Sequence, residues 1–438
     1  MTVVPPSGVP AWSAPTPTSP LDATVVVPGS KSETNRALVL AALADGPSTI
    51  TGGLASRDAD LMRAALVALG VGIDDNDDGS WVVSPPARFQ APSEPIECGL
   101  AGTVMRFVPP IAALTGASTR FVGDDHASAR PMGPLLEALG QLGCTVEGAA
   151  VPFTLTAPAR LSGRRVVIDS SGSSQFVSAL LLTGARFPDG VEIAHHAADG
   201  LATVPSRPHI DMTLSMLRDR GVRIETPDHH IWSVAAGPIA ALDQRVEPDL
   251  TNAAAFLAAA AIAGGQVSVP GWPRATHQGG AEIVAVLQRM GAQCELNGHV
   301  MTAHGSGNLT GAGVVDLHGS SELTPVVAAL AAVAQGETTI TGVAHIRGHE
   351  TDRLAALVAE LGAVGAQVRE TEDGLHVVGR GPEALTGALW HAYADHRMAH
   401  AGALVGLVVP DVAVDDIACT SKTIADFPSM WADMVAGR

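Results

Sequence analysis

Gly46-Pro47-Ser48-Thr49-Ile50-Thr51-Gly52 is a short β-branched run between two glycines, and it returns far downstream as Gly336-Glu337-Thr338-Thr339-Ile340-Thr341-Gly342. Each copy leads through a polar stretch to a helical pattern that stops at glycine: Leu66-Val67-Ala68-Leu69-Gly70 in the first, Leu357-Val358-Ala359-Glu360-Leu361-Gly362 in the second. The same order of glycine, β run, loop and helix recurs from Gly116 to Gly143, Gly190 to Gly221 and Gly265 to Gly291. Behind the helix stop come two β runs around a polar turn, as at Val71-Gly72-Ile73 and Trp81-Val82-Val83, or Gln367-Val368 and Leu375-His376-Val377-Val378.

Each copy is also preceded by an Ala/Leu-rich helix that starts directly after a strand. The six starts lie at Lys31-Ser32, Gly102-Thr103, Ser173-Ser174-Gln175, Thr251-Asn252, Ser321-Glu322 and Asp395-His396-Arg397. Measured between Lys31, Gly102, Ser174, Thr251, Glu322 and His396, the intervals are 71, 72, 77, 71 and 74 residues. Six β-α-β-α-β-β units therefore account for nearly the whole chain of 438 residues, which is long enough for two domains with full cores. Three units per domain is the natural division: residues 29–247 form a first domain and residues 248–438 a second, with residues 1–28 a tail and strand packing with the C-terminal domain. The β run Ala23 to Val27 feeds the first helix start, and the chain crosses between domains near Pro28 and near Glu247-Pro248. The sixth unit ends at Arg438 without its hairpin, and the segment before Leu21, with Trp12 as an anchoring contact, is the piece expected to complete it. The proline-rich first twenty residues otherwise read as a poorly ordered tail, without the basic start and apolar core of a signal peptide.

The formal charge of −18 argues against nucleic acid or an anionic membrane as partner, so any anionic ligand must be held by a local cluster of cations. The Ala-rich run from Ala253 is closed by Gly264-Gly265 and is too short to span a membrane. Cys98, Cys144, Cys294 and Cys419 lack metal-finger spacing and read as reduced thiols of a cytosolic protein. His396 and His400 have i, i+4 spacing but no acidic H-E-x-x-H partner, and no metal site is expected. His195-His196 and His229-His230 lie in or beside hairpins and receive no function.

Equivalent positions in repeated units occupy equivalent places, so the helix starts converge. Gly29-Ser30-Lys31-Ser32-Glu33-Thr34-Asn35-Arg36 joins a tight turn, hydroxyls and two cations to a helix N-terminus, the ingredients of an anion site. It is not a P-loop, which would need glycines at Val25 and Ser30. Capping explains Thr251-Asn252. It does not explain Arg36, Arg106 and Arg397, because a cation early in a helix opposes the helix dipole by roughly 0.3–1 kcal/mol unless an anion lies against it. The second-helix starts add Ser128-Ala129-Arg130-Pro131, Ser206-Arg207-Pro208-His209, His349-Glu350-Thr351-Asp352-Arg353 and Thr420-Ser421-Lys422-Thr423. An acidic chain thus gathers Lys31, Arg36, Arg130, Arg353, Arg397 and Lys422 for a ligand bearing phosphates and carboxylates. Glu322 and Glu350 are the carboxylates available there for proton transfer, as is Lys31 if cationic neighbours lower its pKa.

In order along the chain, Pro28-Gly29-Ser30-Lys31-Ser32, Asn35-Arg36-Ala37-Leu38, Gly99-Leu100-Ala101-Gly102-Thr103-Val104-Met105-Arg106, Arg130-Pro131, Ser173-Ser174-Gln175-Phe176, Glu350-Thr351-Asp352-Arg353-Leu354, Asp395-His396-Arg397-Met398-Ala399 and Lys422-Thr423 resemble the 5-enolpyruvylshikimate-3-phosphate synthase family. The likeness covers the chain after about residue 22. The sister UDP-N-acetylglucosamine enolpyruvyl transferases would show Lys-Asn at the first motif and a reactive loop cysteine, and neither is found. The resemblance implies an α/β fold of two domains, each of three βαβαββ repeats with helices and sheets in pseudo-threefold arrangement, an inside-out α/β barrel closing over a cleft. It implies a cytoplasmic, monomeric transferase of the shikimate pathway without metal or organic cofactor. The enolpyruvyl group of phosphoenolpyruvate would pass to the 5-hydroxyl of shikimate 3-phosphate.

Carried over by motif, shikimate 3-phosphate would meet Lys31, Ser32, Arg36, Ser173, Ser174, Gln175, Ser206, Glu322 and His349. Phosphoenolpyruvate would meet Lys31, Gly102, Arg130, Gln175, Arg353, Arg397 and Lys422. Glu322 would take the hydroxyl proton, and Glu350 with Lys31 would protonate and later deprotonate the methylene carbon. Leu100, Glu322, His345, His349 and His209 stand where the family commonly has Asn, Asp, Asn, Lys and Tyr. Gly102 leaves room beside the phosphoenolpyruvate site, so sensitivity to glyphosate is expected. The alternatives are an enolpyruvyl transferase with another acceptor and a non-catalytic anion-binding homologue.

Overall fold

The computed structural model describes residues 10–196 and 204–438. The tail reading for residues 1–9 lies outside them. Twelve α-helices are present among the described residues, two per repeat: α1 (Lys31–Ala42), α2 (Arg57–Ala68), α3 (Gly102–Ala112), α4 (Gly133–Gln141), α5 (Gln175–Gly184), α6 (Arg207–Asp219), α7 (Leu250–Ala263), α8 (Ile283–Arg289), α9 (Thr324–Val333), α10 (Arg353–Ala363), α11 (His396–Gly406) and α12 (Phe427–Val435). The first helix of each repeat is apolar almost all round and buried: every residue of α3, α9 and α11 is in the interior, and α7, Leu-Thr-Asn-Ala-Ala-Ala-Phe-Leu-Ala-Ala-Ala-Ala-Ile-Ala, nearly so. Such helices must be enclosed. The second helices show one buried face, as in α2 and α10.

Two compact units result. One is Gly29–Glu247, whose core is built on α1, α3 and α5 packed together; the other joins Pro248–Arg438 to the N-terminal segment ending at Pro28, around α7, α9 and α11. Each unit carries three small sheets around these helices, five of four strands and one of three in all. In the four-stranded sheets the leading strand runs parallel to the second, and the hairpin adds two antiparallel strands, as in 96–97, 118–122, 153–156 and 145–147. No sheet closes on itself among the described residues, so the barrel implied by the resemblance is an arrangement of separate open sheets outside a helical core.

The leading strands of the first and fourth repeats are exchanged. The strand before α1, Leu21–Thr24, pairs with Gly265–Pro270 of the fourth repeat, whereas Gln244–Arg245, just before α7, pairs with Ser48–Thr51 of the first. The run beginning at Ala23, which leads into α1 in the sequence, thus lies in the fourth repeat's sheet. At the crossing, Ser30 N donates to Glu247 O (2.7 Å) and Asp249 N to Pro28 O (2.8 Å). Gly29 has no alternative there, since a Cβ would lie 2.1 Å from Gly52 O.

The sixth repeat's sheet contains Leu389–Trp390, Ala413–Val414 and the N-terminal strand Trp12–Ser13, antiparallel to Ala413–Val414. One strand, not a hairpin, completes it. Trp12 also meets Phe427 edge-on at 6.3 Å. Truncating this half-buried indole in Trp12→Ala is expected to destabilise the C-terminal unit by about 1–3 kcal/mol, below the full-burial range for an aromatic side chain, read as a lower urea midpoint.

Candidate active site

In the unit Gly29–Glu247, helix starts leave main-chain N–H groups for a ligand. Among the described residues no N-cap side chain bonds the start of α3 or α6, in contrast to α1, where Ser30 Oγ accepts from Glu33 N, and to α5, where Ser173 Oγ accepts from Gln175 N (3.3 Å). Ser206, before α6, is held at φ +50°. Gly102 opens α3 beside two guanidinium groups: a Cβ there would lie 2.9 Å from Arg130 Nη2 and 3.0 Å from Arg106 Nη1. Arg130 donates to Leu100 O (2.8 Å), and Arg106 donates to Gln175 Oε1 (2.7 Å) and Pro131 O (3.1 Å). Gly102, Arg130 and Gln175 are thereby brought together. Leu100 contributes through its backbone, which any residue could supply.

Arg36 is placed differently. Its Nε donates to Thr213 Oγ1 (2.7 Å), Nη1 to Ser32 O (2.9 Å), and Nη2 to Ser178 Oγ (3.3 Å) and His209 O (3.0 Å). Four of its five N–H donors serve the fold, bracing α1, α5 and α6, so its larger part is to hold Ser32 near the starts of those helices. Burial lowers its pKa to about 9. Lys31 Nζ lies 3.6 Å from the buried carboxylate of Asp58. The sequence reading invokes cationic neighbours for Lys31, and the neighbour in this ion pair is an anion. Glu33, beside it, accepts from Gln244 Nε2 and Glu247 N, both at 2.9 Å, and burial pushes its pKa up to about 7. His195 Nδ1 accepts from Ser170 N (3.1 Å), bracing the turn that leads to Ser173, Ser174 and Gln175.

The other unit holds a network centred on Arg353, 1% exposed. Its Nε donates to Asp395 Oδ2 (2.7 Å), Nη2 to Glu350 Oε2 (2.9 Å), and Nη1 to Glu322 Oε2 (3.2 Å). Lys422 Nζ binds Glu350 Oε1 at 2.6 Å, and Arg397 pairs with Glu322. Three cations thus face three carboxylates. Burial opposes charge on Glu322, but Arg397 and Arg353 outweigh it and hold the carboxyl well below its ordinary range. Burial likewise opposes charge on Arg353, and Asp395, Glu322 and Glu350 outweigh it and raise its pKa.

Arg130 and Lys422 are not at second-helix starts. Arg130 follows a 3-10 turn, Asp125–Ala129, ahead of α4, and Lys422 ends another, Ile417–Lys422, ahead of α12. Glu322 sits on the 3-10 turn Ser321–Leu323 and Glu350 in the loop before α10, while Arg353 opens α10 and Arg397 lies in the first turn of α11.

His349 resolves into a neutral donor. Burial, then Arg353, pushes its pKa down to about 3, and its Nδ1 lies 3.0 Å from Arg353 Nη1. A guanidinium offers only hydrogens, so Nδ1 accepts and Nε2 carries the imidazole proton. His345, lowered to about 4 chiefly by burial, contacts Ser321 Oγ through Nε2 at 2.9 Å. His396 and His400 are interior residues, and His400 stacks on Phe427 at 4.7 Å.

Asp58, Glu33, His195 and the Arg353 partner role of Asp395 escape sequence reasoning. Asp58 reads as an ordinary first-turn acid of an amphipathic helix, and Arg353 lies 42 residues from Asp395.

Residues 15–431 match the family model of EPSP synthase (3-phosphoshikimate 1-carboxyvinyltransferase). A 3-phosphoshikimate 1-carboxyvinyltransferase of Kocuria rhizophila is 51% identical over 427 residues, 95% of this chain and 94% of the relative. An EPSP synthase structure from Acinetobacter baumannii aligns with a TM-score of 0.79 at 24% identity, covering 97% of each chain. The enolpyruvyl transferase NikO from Streptomyces tendae aligns with a TM-score of 0.73 at 20% identity, covering 97% of this chain and 96% of that one. At these identities the two structures speak to the fold alone.

Proposed function

The chain belongs to the EPSP synthase (3-phosphoshikimate 1-carboxyvinyltransferase) family, and we propose that it transfers the enolpyruvyl group of phosphoenolpyruvate to the 5-hydroxyl of shikimate 3-phosphate. Shikimate 3-phosphate meets Lys31, Ser32, Arg36, Ser173, Ser174, Gln175, Ser206, Glu322 and the Nε2–H of His349. Phosphoenolpyruvate meets Lys31, Gly102, Arg130, Gln175, Arg353, Arg397 and Lys422.

One observation carries the reading: Arg353, Arg397 and Lys422 are neutralised by carboxylates placed to exchange for those of a ligand. A bound anion takes over these cations, and Glu322, relieved of them, regains the basicity that Arg397 and Arg353 suppress. It then accepts the hydroxyl proton as the oxygen attacks C2 of phosphoenolpyruvate. Glu350 and Lys31 act together at C3, with the proton coming from the Lys31 ammonium, and the cations stabilise the tetrahedral adduct. Removal of a proton from C3 restores the double bond as phosphate leaves.

The test is phosphate release. Phosphate should appear when shikimate 3-phosphate and phosphoenolpyruvate are both present, and not when the acceptor is replaced by UDP-N-acetylglucosamine. Release with another acceptor and none with shikimate 3-phosphate would overturn the assignment, and binding of both ligands without turnover would mark an anion-binding homologue. The charge of −18 and four free cysteines support a cytosolic enzyme without nucleic-acid or membrane partners. We take it to act as a monomer. Among the described residues no helix is long and apolar enough to cross a membrane.

Glyphosate is expected to compete with phosphoenolpyruvate in the room beside Gly102. In Gly102→Ala the new Cβ displaces the Arg130 guanidinium. The KM for phosphoenolpyruvate should rise about tenfold, with a larger rise in the inhibition constant of glyphosate, read from steady-state kinetics.

A further inference from the structure

We propose that Tyr393 is a positioning residue for phosphoenolpyruvate binding: its hydroxyl, bonded to Glu360, holds a left-handed turn in the shape that presents Asp395 to Arg353 and Arg397 to the ligand. The inference rests on the assignment of Arg353 and Arg397 to phosphoenolpyruvate.

Tyr393, the chain's one tyrosine, and Ala394 have φ of +56° and +55°. Two successive non-glycine residues in this region crowd Cβ against the carbonyl oxygen, and such a pair persists only where its surroundings hold it. Here much of the hold comes from one helix face. Glu360 follows Arg353 on α10 by about two turns, so both side chains address the segment 391–395. Glu360 Oε1 accepts from Tyr393 Oη at 2.6 Å and Oε2 from His391 N at 2.8 Å, while Arg353 Nε grips Asp395 at 2.7 Å. Asp415 accepts from Ala392 N at 2.9 Å. Just beyond the turn, Asp395 Oδ1 caps α11 by accepting from Arg397 N at 2.9 Å.

The Tyr393 hydroxyl ties down the first left-handed residue itself. Without it, a buried carboxylate oxygen loses its donor, and the turn relaxes toward negative φ. That shift carries Asp395 and Arg397 with it. Tyr393 touches neither substrate nor reacting atoms in this scheme; its effect passes through the two arginines.

Steady-state kinetics of Tyr393→Phe, of Tyr393→Phe with Ala394→Gly, and of Arg397→Ala test the inference, with thermal midpoints measured in parallel. Tyr393→Phe should raise the KM for phosphoenolpyruvate about tenfold, with kcat and the KM for shikimate 3-phosphate changed by less than about twofold. Glycine adopts positive φ without crowding, so adding Ala394→Gly should bring the KM back to within about threefold of the parent. If Arg397→Ala raises the KM and Tyr393→Phe does not, the positioning role is overturned, whether or not the thermal midpoint falls. Failure of Ala394→Gly to restore the KM overturns it too. An unchanged KM in Arg397→Ala overturns the site assignment beneath it.

Discussion

Glu350→Gln is expected to lower kcat by about 10²–10⁴-fold, the range for losing a positioned acid–base group, without raising the KM for phosphoenolpyruvate. Glu350 is nearly buried and divides its carboxylate between Arg353 and Lys422. The amide keeps the shape and removes the negative charge, so both cations are freer to hold an anion. Chemistry should therefore fail while binding is kept or improved. Lys31→Ala should lose turnover to a similar extent, and it additionally strands the buried Asp58. Asp58→Asn is the control that separates the ammonium's own contribution from its restraint. A near-normal kcat in Glu350→Gln or Lys31→Ala would remove that residue from the mechanism.

The second large effect is on stability. Arg353→Ala takes away the cation shared by Asp395, Glu322 and Glu350, and should destabilise the C-terminal unit by about 3–5 kcal/mol, the range for breaking a buried ion pair by deleting one partner. Urea unfolding should show the loss at neutral pH. The pH dependence has a definite sign. A carboxyl held below its unfolded pKa, as Glu322 is, stabilises the fold above the ordinary carboxylate range, and this is lost as pH falls through the depressed value. Removing Arg353 weakens that depression, so the variant's deficit should shrink on acidification. A deficit that is independent of pH would contradict the electrostatic origin assigned to it.

The repeat was legible because its punctuation is local. Glycine stops, β-branched runs and helix starts recur at intervals that need no partner to be seen, and they place Lys31, Gly102, Gln175, Glu322 and Arg397 at or beside the starts of inner helices. That the strand within residues 1–28 goes with the C-terminal domain was read from the repeat division, but its pairing partner was not legible, because a short run such as Leu21–Thr24 has the same pattern whichever sheet it joins. Residue chemistry in the site was likewise readable, but partnership was not. Arg36 meets Thr213 across 177 positions, and nothing near either residue announces the other. Arg130 and Lys422 were set at helix starts because a 3-10 turn and the first turn of an α-helix share their polar and proline signals. The neutral state of His349 depends on burial and on Arg353, which opens the next helix.

The most direct test of enolpyruvyl transfer by addition and elimination is to run the reaction in D2O and analyse the product by NMR. The mechanism requires one phosphate released per enol ether formed and deuterium in the product's methylene group, because C3 is protonated from an exchangeable site and then deprotonated. Phosphate accompanied by pyruvate instead of the ether, or an ether free of deuterium, would contradict it.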